Sequence, residues 1–98
     1  MKKMIKSIEG LVPLTPKQLE VLRKIYEYQQ MMGYTPTLKW LGENMSMSQV
    51  TIWEHINRAA KKNWVVKEKY RRGGVVIPPA VLAELRRLYP YRDVNTRW

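Results

Sequence analysis

Between Trp40 and Ile56 two short segments with helical apolar spacing stand a few residues apart, and this closeness limits the chain more than any other feature. Thr37 can cap a first helix carrying Leu38, Trp40, Leu41 and Met45; Ser46-Met47 breaks it. Ser48 can cap a second helix over about 49–62, with Ile52, Ile56, Ala59 and Ala60 along one side. Two helices joined so tightly must cross at close range, so the first needs a small residue where they touch, and Gly42 supplies it. Leu41, Met45, Met47, Ile52 and Ile56 are placed to fill the angle between them.

The flanks extend the pattern. Thr15 can cap a helix over 16–32, with Pro16 at its first position, Gln18 completing a capping box, and Leu14 and Leu19 spaced as a hydrophobic staple. Leu19, Leu22, Ile25, Tyr26, Gln29 and Met32 follow helical spacing, and Gly33 can end the helix in the left-handed conformation. After the helix over 49–62 the period changes. Residues 64–70 read as a strand, Arg71-Arg72-Gly73-Gly74 as a turn and 75–77 as the return strand. Pro79 can open a last helix with Val81, Leu82, Leu85, Leu88 and Tyr89 on its apolar side, and Pro90 stops it. Trp40 and Trp64 read as core. The expected fold is mainly α with a small β-hairpin: a winged helix-turn-helix of three core helices, a two-stranded wing and a C-terminal helix. Residues 1–13 are a basic arm, 14–78 the winged domain, and 79–98 a helix and tail that are a candidate dimerisation element.

Charge suggests a partner. Lys and Arg number 18 against 8 acids, a formal charge of +10 on 98 residues, which suits a polyanion whose counterions are released on binding. There is no cysteine for a disulfide or thiolate metal site, and no apolar run near the ~20 residues of a membrane span. His55 is the only histidine, so a structural or phosphate-contacting role is expected rather than a metal. No cofactor is expected. Catalysis is not expected either, with one His, one Asp (Asp93), no Cys and no phosphate loop. The expected compartment is a reducing cytoplasm, on the nucleoid.

Met45-Ser46-Met47-Ser48 followed by Thr51-Ile52 and Ile56 resembles the helix-turn-helix of bacterial regulators, whose turn usually reads Leu-Gly-Val-Ser. Ser46 replaces the usual glycine, so the resemblance implies a positive φ there at some cost. The stretch from Leu14 to Leu22, then Gly33-Tyr34-Thr35-Pro36-Thr37, Glu54-His55-Ile56 and Lys62-Asn63-Trp64-Val65 resembles the N-terminal DNA-binding domain of LexA repressors, and more loosely MarR-type winged helices, over about 14–77. LexA proteins continue into a self-cleaving serine/lysine protease domain. No length remains for one before Trp98, so the resemblance implies the DNA-binding module alone.

On this fold the helix over 49–62 enters the major groove. Turning Ile52, Ile56 and Ala59 inward points Val50, Thr51, Glu54, Asn57, Arg58 and Lys61 outward, with Trp53 at the flank. Val50 suits a thymine methyl, while Thr51 and Glu54 can hydrogen-bond bases. Arg58 and Lys61 suit phosphates, as do Ser48 and Gln49 at the helix start, and Thr37 at the start of the preceding helix joins the candidate contacts. In the wing, Lys67 and Lys69 share a strand face, and Arg71 and Arg72 lie at the tip, a set suited to backbone or minor-groove contact. The expected partner is double-stranded DNA, bound by a transcriptional regulator that represses by occupying a promoter, with a homodimer favoured. A role in phage or plasmid replication or recombination, or binding of a protein partner such as RNA polymerase, are the alternatives.

Overall fold

A computed structural model describes residues 11–68 and 74–89. The order is α1 (Pro16–Met32), α2 (Leu38–Met45), α3 (Gln49–Lys61), β1 (Val66–Lys67), β2 (Val75–Val76) and α4 (Pro79–Leu88).

Each helix of the first half is delimited by its own neighbours. Thr15 Oγ1 accepts from Gln18 N–H at 3.2 Å, and Gln18 Oε1 accepts from Thr15 N–H at 3.1 Å, the two arms of a capping box. Gly33 closes α1 at φ 86°, donating its N–H to the Gln29 carbonyl. Thr37 and Ser48 cap α2 and α3 in the same way, accepting from Trp40 N–H and Thr51 N–H at 3.1 Å each.

The C-terminal end of α3 has a signal that reading from periodicity passed over. Asn63 takes φ 68°. Its N–H bonds the Ala60 carbonyl, and the Trp64 N–H bonds the Ala59 carbonyl, the paired bonds of a Schellman ending. Asparagine is among the few side chains that enter this region readily. The helix therefore stops at Lys61, one residue short of the expected end.

The hairpin begins later than the alternation predicts. Among the described residues Val66↔Val76 and Lys67↔Val75 pair, antiparallel, with one further bond from Glu68 N–H to the Gly74 carbonyl at 2.9 Å. Trp64 was expected in the strand but lies before it, because the Schellman bond holds its backbone against α3. The expected turn residues up to Gly73 lie outside the described residues.

The helices and the hairpin enclose one core. Leu22, Ile25 and Tyr26 of α1 meet Leu41 of α2, Ile52 and Ile56 of α3, Val75 of β2, and Val81 and Leu85 of α4. Each such aliphatic side chain contributes about 1.5–3 kcal/mol by leaving water. Trp40 and Trp64 pack against this core but are only half-buried, and Ala60 is also half-buried. The expected apolar side of α4 is likewise incomplete, since Leu88 is exposed. Tyr26 joins α1 to the end of α4 by donating its hydroxyl to the Tyr89 carbonyl at 3.0 Å, and the Arg23 guanidinium lies 4.3 Å from the centre of the Tyr89 ring. Burial pushes the Tyr26 phenol above its ordinary pKa, with Arg86 opposing that shift and Glu27 adding to it.

Candidate nucleic-acid interface

The angle between α2 and α3 is set by backbone contact. Ser46 adopts φ 57° and ψ 44°, the left-handed conformation expected of it. The N–H groups of Ser46 and Met47 both reach the Gly42 carbonyl. A Cβ on Gly42 would lie 2.7 Å from the Met47 carbonyl oxygen. The small residue is therefore needed against the turn's own backbone, a closer constraint than the helix crossing inferred from the sequence.

With Ile52, Ile56 and Ala59 buried, 3.6 residues per turn bring Val50, Glu54, Asn57 and Lys61 to the opposite side of α3. Thr51 and Arg58 flank that stripe on one side and Trp53 on the other. Val50, Glu54, Arg58 and Lys61 are exposed, while Thr51, Trp53 and Asn57 are half-buried. An aliphatic side chain left 68% exposed on a well-packed helix has no role in the core, and that is the state of Val50. Gln49 is exposed at the helix start.

The hydroxyls at the two helix starts have work to do locally. Thr37 Oγ1 is occupied as the α2 cap. Ser48 Oγ accepts from Thr51 N–H and donates its proton to Thr51 Oγ1 at 2.9 Å. That arrangement leaves the Thr51 O–H as a donor directed elsewhere.

Charge is distributed unevenly. On α1, Lys17 pairs with Glu20 at 3.1 Å and Arg23 with Glu27 at 2.9 Å. On α3, among the described residues, no acid stands within ion-pair distance of Arg58 or Lys61. Both cations lie near the C-terminal end of the exposed stripe. Glu54 is the acid within the stripe.

Two lysines predicted or passed over as simple surface cations are engaged. Lys67 of β1 turns back to α3, donating to Asn57 Oδ1 and standing 5.1 Å from the centre of the Trp53 ring. Lys62 donates to Gln18 Oε1 at 2.8 Å and to the Pro13 carbonyl at 3.0 Å. Beside it, Trp64 Nε1 donates to the Val12 carbonyl at 2.7 Å. These contacts fix the segment ahead of α1 to the end of α3, and no local pattern announces contacts about fifty residues apart. His55 turns toward α1, where its Nδ1 is buried without a partner. Lys69, Arg71 and Arg72 lie outside the described residues. Among the described residues there is no group of His, Cys, Asp and Glu suited to hold a metal, and no helix is long and apolar enough to cross a membrane.

The comparisons agree with this architecture. The chain is 37% identical over 65 residues to the LexA repressor of Lactiplantibacillus plantarum, covering 65% of this chain and 31% of that protein. It is 43% identical over 53 residues to the LexA repressor of Leuconostoc mesenteroides, covering 53% and 25%. It is 30% identical over 70 residues to that of Enterococcus faecalis, covering 70% and 34%. The chain thus spans about a third or less of the length of these relatives. The family model described as the LexA DNA binding domain matches residues 11–73, from the segment ahead of α1 into the connection between β1 and β2. That match takes in all three core helices and more than half of the residues, and the chain belongs to the LexA DNA binding domain family.

Proposed function

We propose that this chain binds specific sequences in double-stranded DNA and represses transcription by occupying promoters. The observation that carries the proposal is the exposed stripe of α3, which sets an apolar Val50 and polar groups opposite the buried Ile52, Ile56 and Ala59. It is supported by membership of a DNA-binding family and by relatives named LexA repressor.

In this reading the N-terminal half of α3 lies in the major groove. Val50 meets a thymine methyl, the Thr51 O–H donates to a base acceptor, and Glu54 accepts from a cytosine amino group. Arg58 and Lys61 meet phosphates, as do Gln49 and the backbone near Ser48 and Thr37. Lys69, Arg71 and Arg72 add backbone or minor-groove contact from the wing. An acid in the stripe repels phosphate, so Glu54 lowers affinity for DNA in general and is useful only where a specific base compensates.

The test is selection of bound duplexes from a random pool, at low and near-physiological salt, followed by sequencing. A sharp motif that survives the higher salt supports sequence-specific binding, and a palindrome in it indicates two copies on one site. Glu54→Ala is expected to relax one position of the motif, and an unchanged motif removes Glu54 as a reader. Binding without a motif points to an architectural or replication role. No binding at either salt sinks the DNA reading and favours a protein partner.

A further inference from the structure

Lys67 and Asn57 form a pair across the seam between wing and α3, and their chemistry narrows what α3 can read. The inference rests on the DNA reading above. Asn57 lies in the same exposed stripe as Val50 and Glu54, and Trp53 is one helical turn before it. Lys67 reaches both from β1, its ammonium bonded to Asn57 Oδ1 and held near the Trp53 ring. An ammonium group carries three donors and no acceptor, so only the amide oxygen can face it. The orientation of the Asn57 amide is therefore dictated by its partner.

An unconstrained asparagine reads adenine with both ends of its amide: Oδ1 accepts from N6 and Nδ2 donates to N7. Here Lys67 takes one lone pair of Oδ1 and sets a positive charge beside the other, which disfavours a second donor such as adenine N6. The groups best placed to face a groove are then the Nδ2 amino group and the remaining ammonium protons, which are donors. The major-groove edge of guanine presents two adjacent acceptors, N7 and O6. Adenine and cytosine each present an amino donor there, which the neighbouring ammonium repels. We propose that Lys67 is a positioning residue that turns Asn57 from an adenine reader into a donor to guanine.

The experiment is selection of bound duplexes by the full chain and by Asn57→Ala, Lys67→Ala and Lys67→Arg, at low salt so that loss of one cation does not abolish binding. Asn57→Ala is expected to erase the preference at one base pair, where the unaltered chain selects guanine. Lys67→Ala frees Oδ1 and should shift that pair toward adenine by about tenfold in relative enrichment. Lys67→Arg, still a donor, should retain guanine. A motif that Lys67→Ala leaves unchanged, whatever its effect on affinity, overturns the proposal while leaving DNA binding intact. Adenine selected by the unaltered chain at the Asn57-dependent pair overturns it equally, as does a motif indifferent to Asn57→Ala. No enrichment by the unaltered chain overturns the functional reading itself, and this inference with it.

Discussion

The connection from α2 to α3 and the hairpin after α3 both position candidate DNA contacts, but they are held by different kinds of interaction. In the first, two N–H groups converge on one carbonyl, Gly42 admits the turn at contact distance, and Ser48 caps the next helix. The partners are within six residues of one another. In the second, two residue pairs of the ladder lie among the described residues, and the strand is tied to α3 through Lys67. A two-stranded ribbon has little stability of its own and depends on what it packs against. The first region carries its geometry in its own sequence; the second borrows it from the core through Val75.

The largest expected effect tests whether α3 is anchored as described. Ile52 is fully buried at the centre of the core, so Ile52→Ala should destabilise the domain by about 4 kcal/mol, from lost burial and the cavity left behind. Urea unfolding followed by circular dichroism measures it. A loss below about 1 kcal/mol would mean that α3 does not pack through this side chain, and the outward stripe would lose its basis.

Gly42 and Gly74 sharpen the comparison directly. Gly42→Ala sets a methyl against backbone that cannot yield without opening the turn, so about 2–3 kcal/mol of destabilisation is expected. Gly74 has φ 69°, but a Cβ there would come only to 3.5 Å of the Glu68 carbonyl oxygen. Gly74→Ala should therefore cost only the strain of a left-handed alanine, about 1 kcal/mol. Equal losses at the two sites would contradict the distinction between a turn closed by contact and one closed by conformation.

The same distinction governs what could be read from the sequence. The caps at Thr15, Thr37 and Ser48, the left-handed Gly33 and Ser46, and the inward face of α3 were all legible, because each depends on residues a turn or two apart. The stripe of Val50, Glu54, Asn57 and Lys61 follows from that inward face alone. The start of the strand was not legible: alternation begins at Trp64, whereas pairing begins at Val66, after Asn63 has ended α3. Nor could charge counting show that Lys62 and Lys67 are held by contacts distant in sequence. Trp64→Phe tests one such contact. It keeps an aromatic ring on the core but deletes the bond to the Val12 carbonyl, so about 1 kcal/mol should be lost on unfolding. Unchanged stability would mean that the segment ahead of α1 contributes nothing through that bond.

The smallest expected effect has the opposite sign. Ser46 occupies the left-handed region with a side chain, which costs about 1 kcal/mol relative to glycine. Ser46→Gly removes that strain but enlarges the freedom of the unfolded chain, which offsets part of the gain. A net stabilisation of about 0.5 kcal/mol is expected. The change leaves both N–H bonds to the Gly42 carbonyl in place, so base preference should not move with it. The two readouts separate the turn's role in stability from its role in presentation. A gain in stability with an unchanged selected motif places the determinant in the local conformation at Ser46. A loss of stability would show that the serine side chain contributes more to the turn than its backbone strain removes, and would weaken the claim that this region is governed by backbone geometry alone.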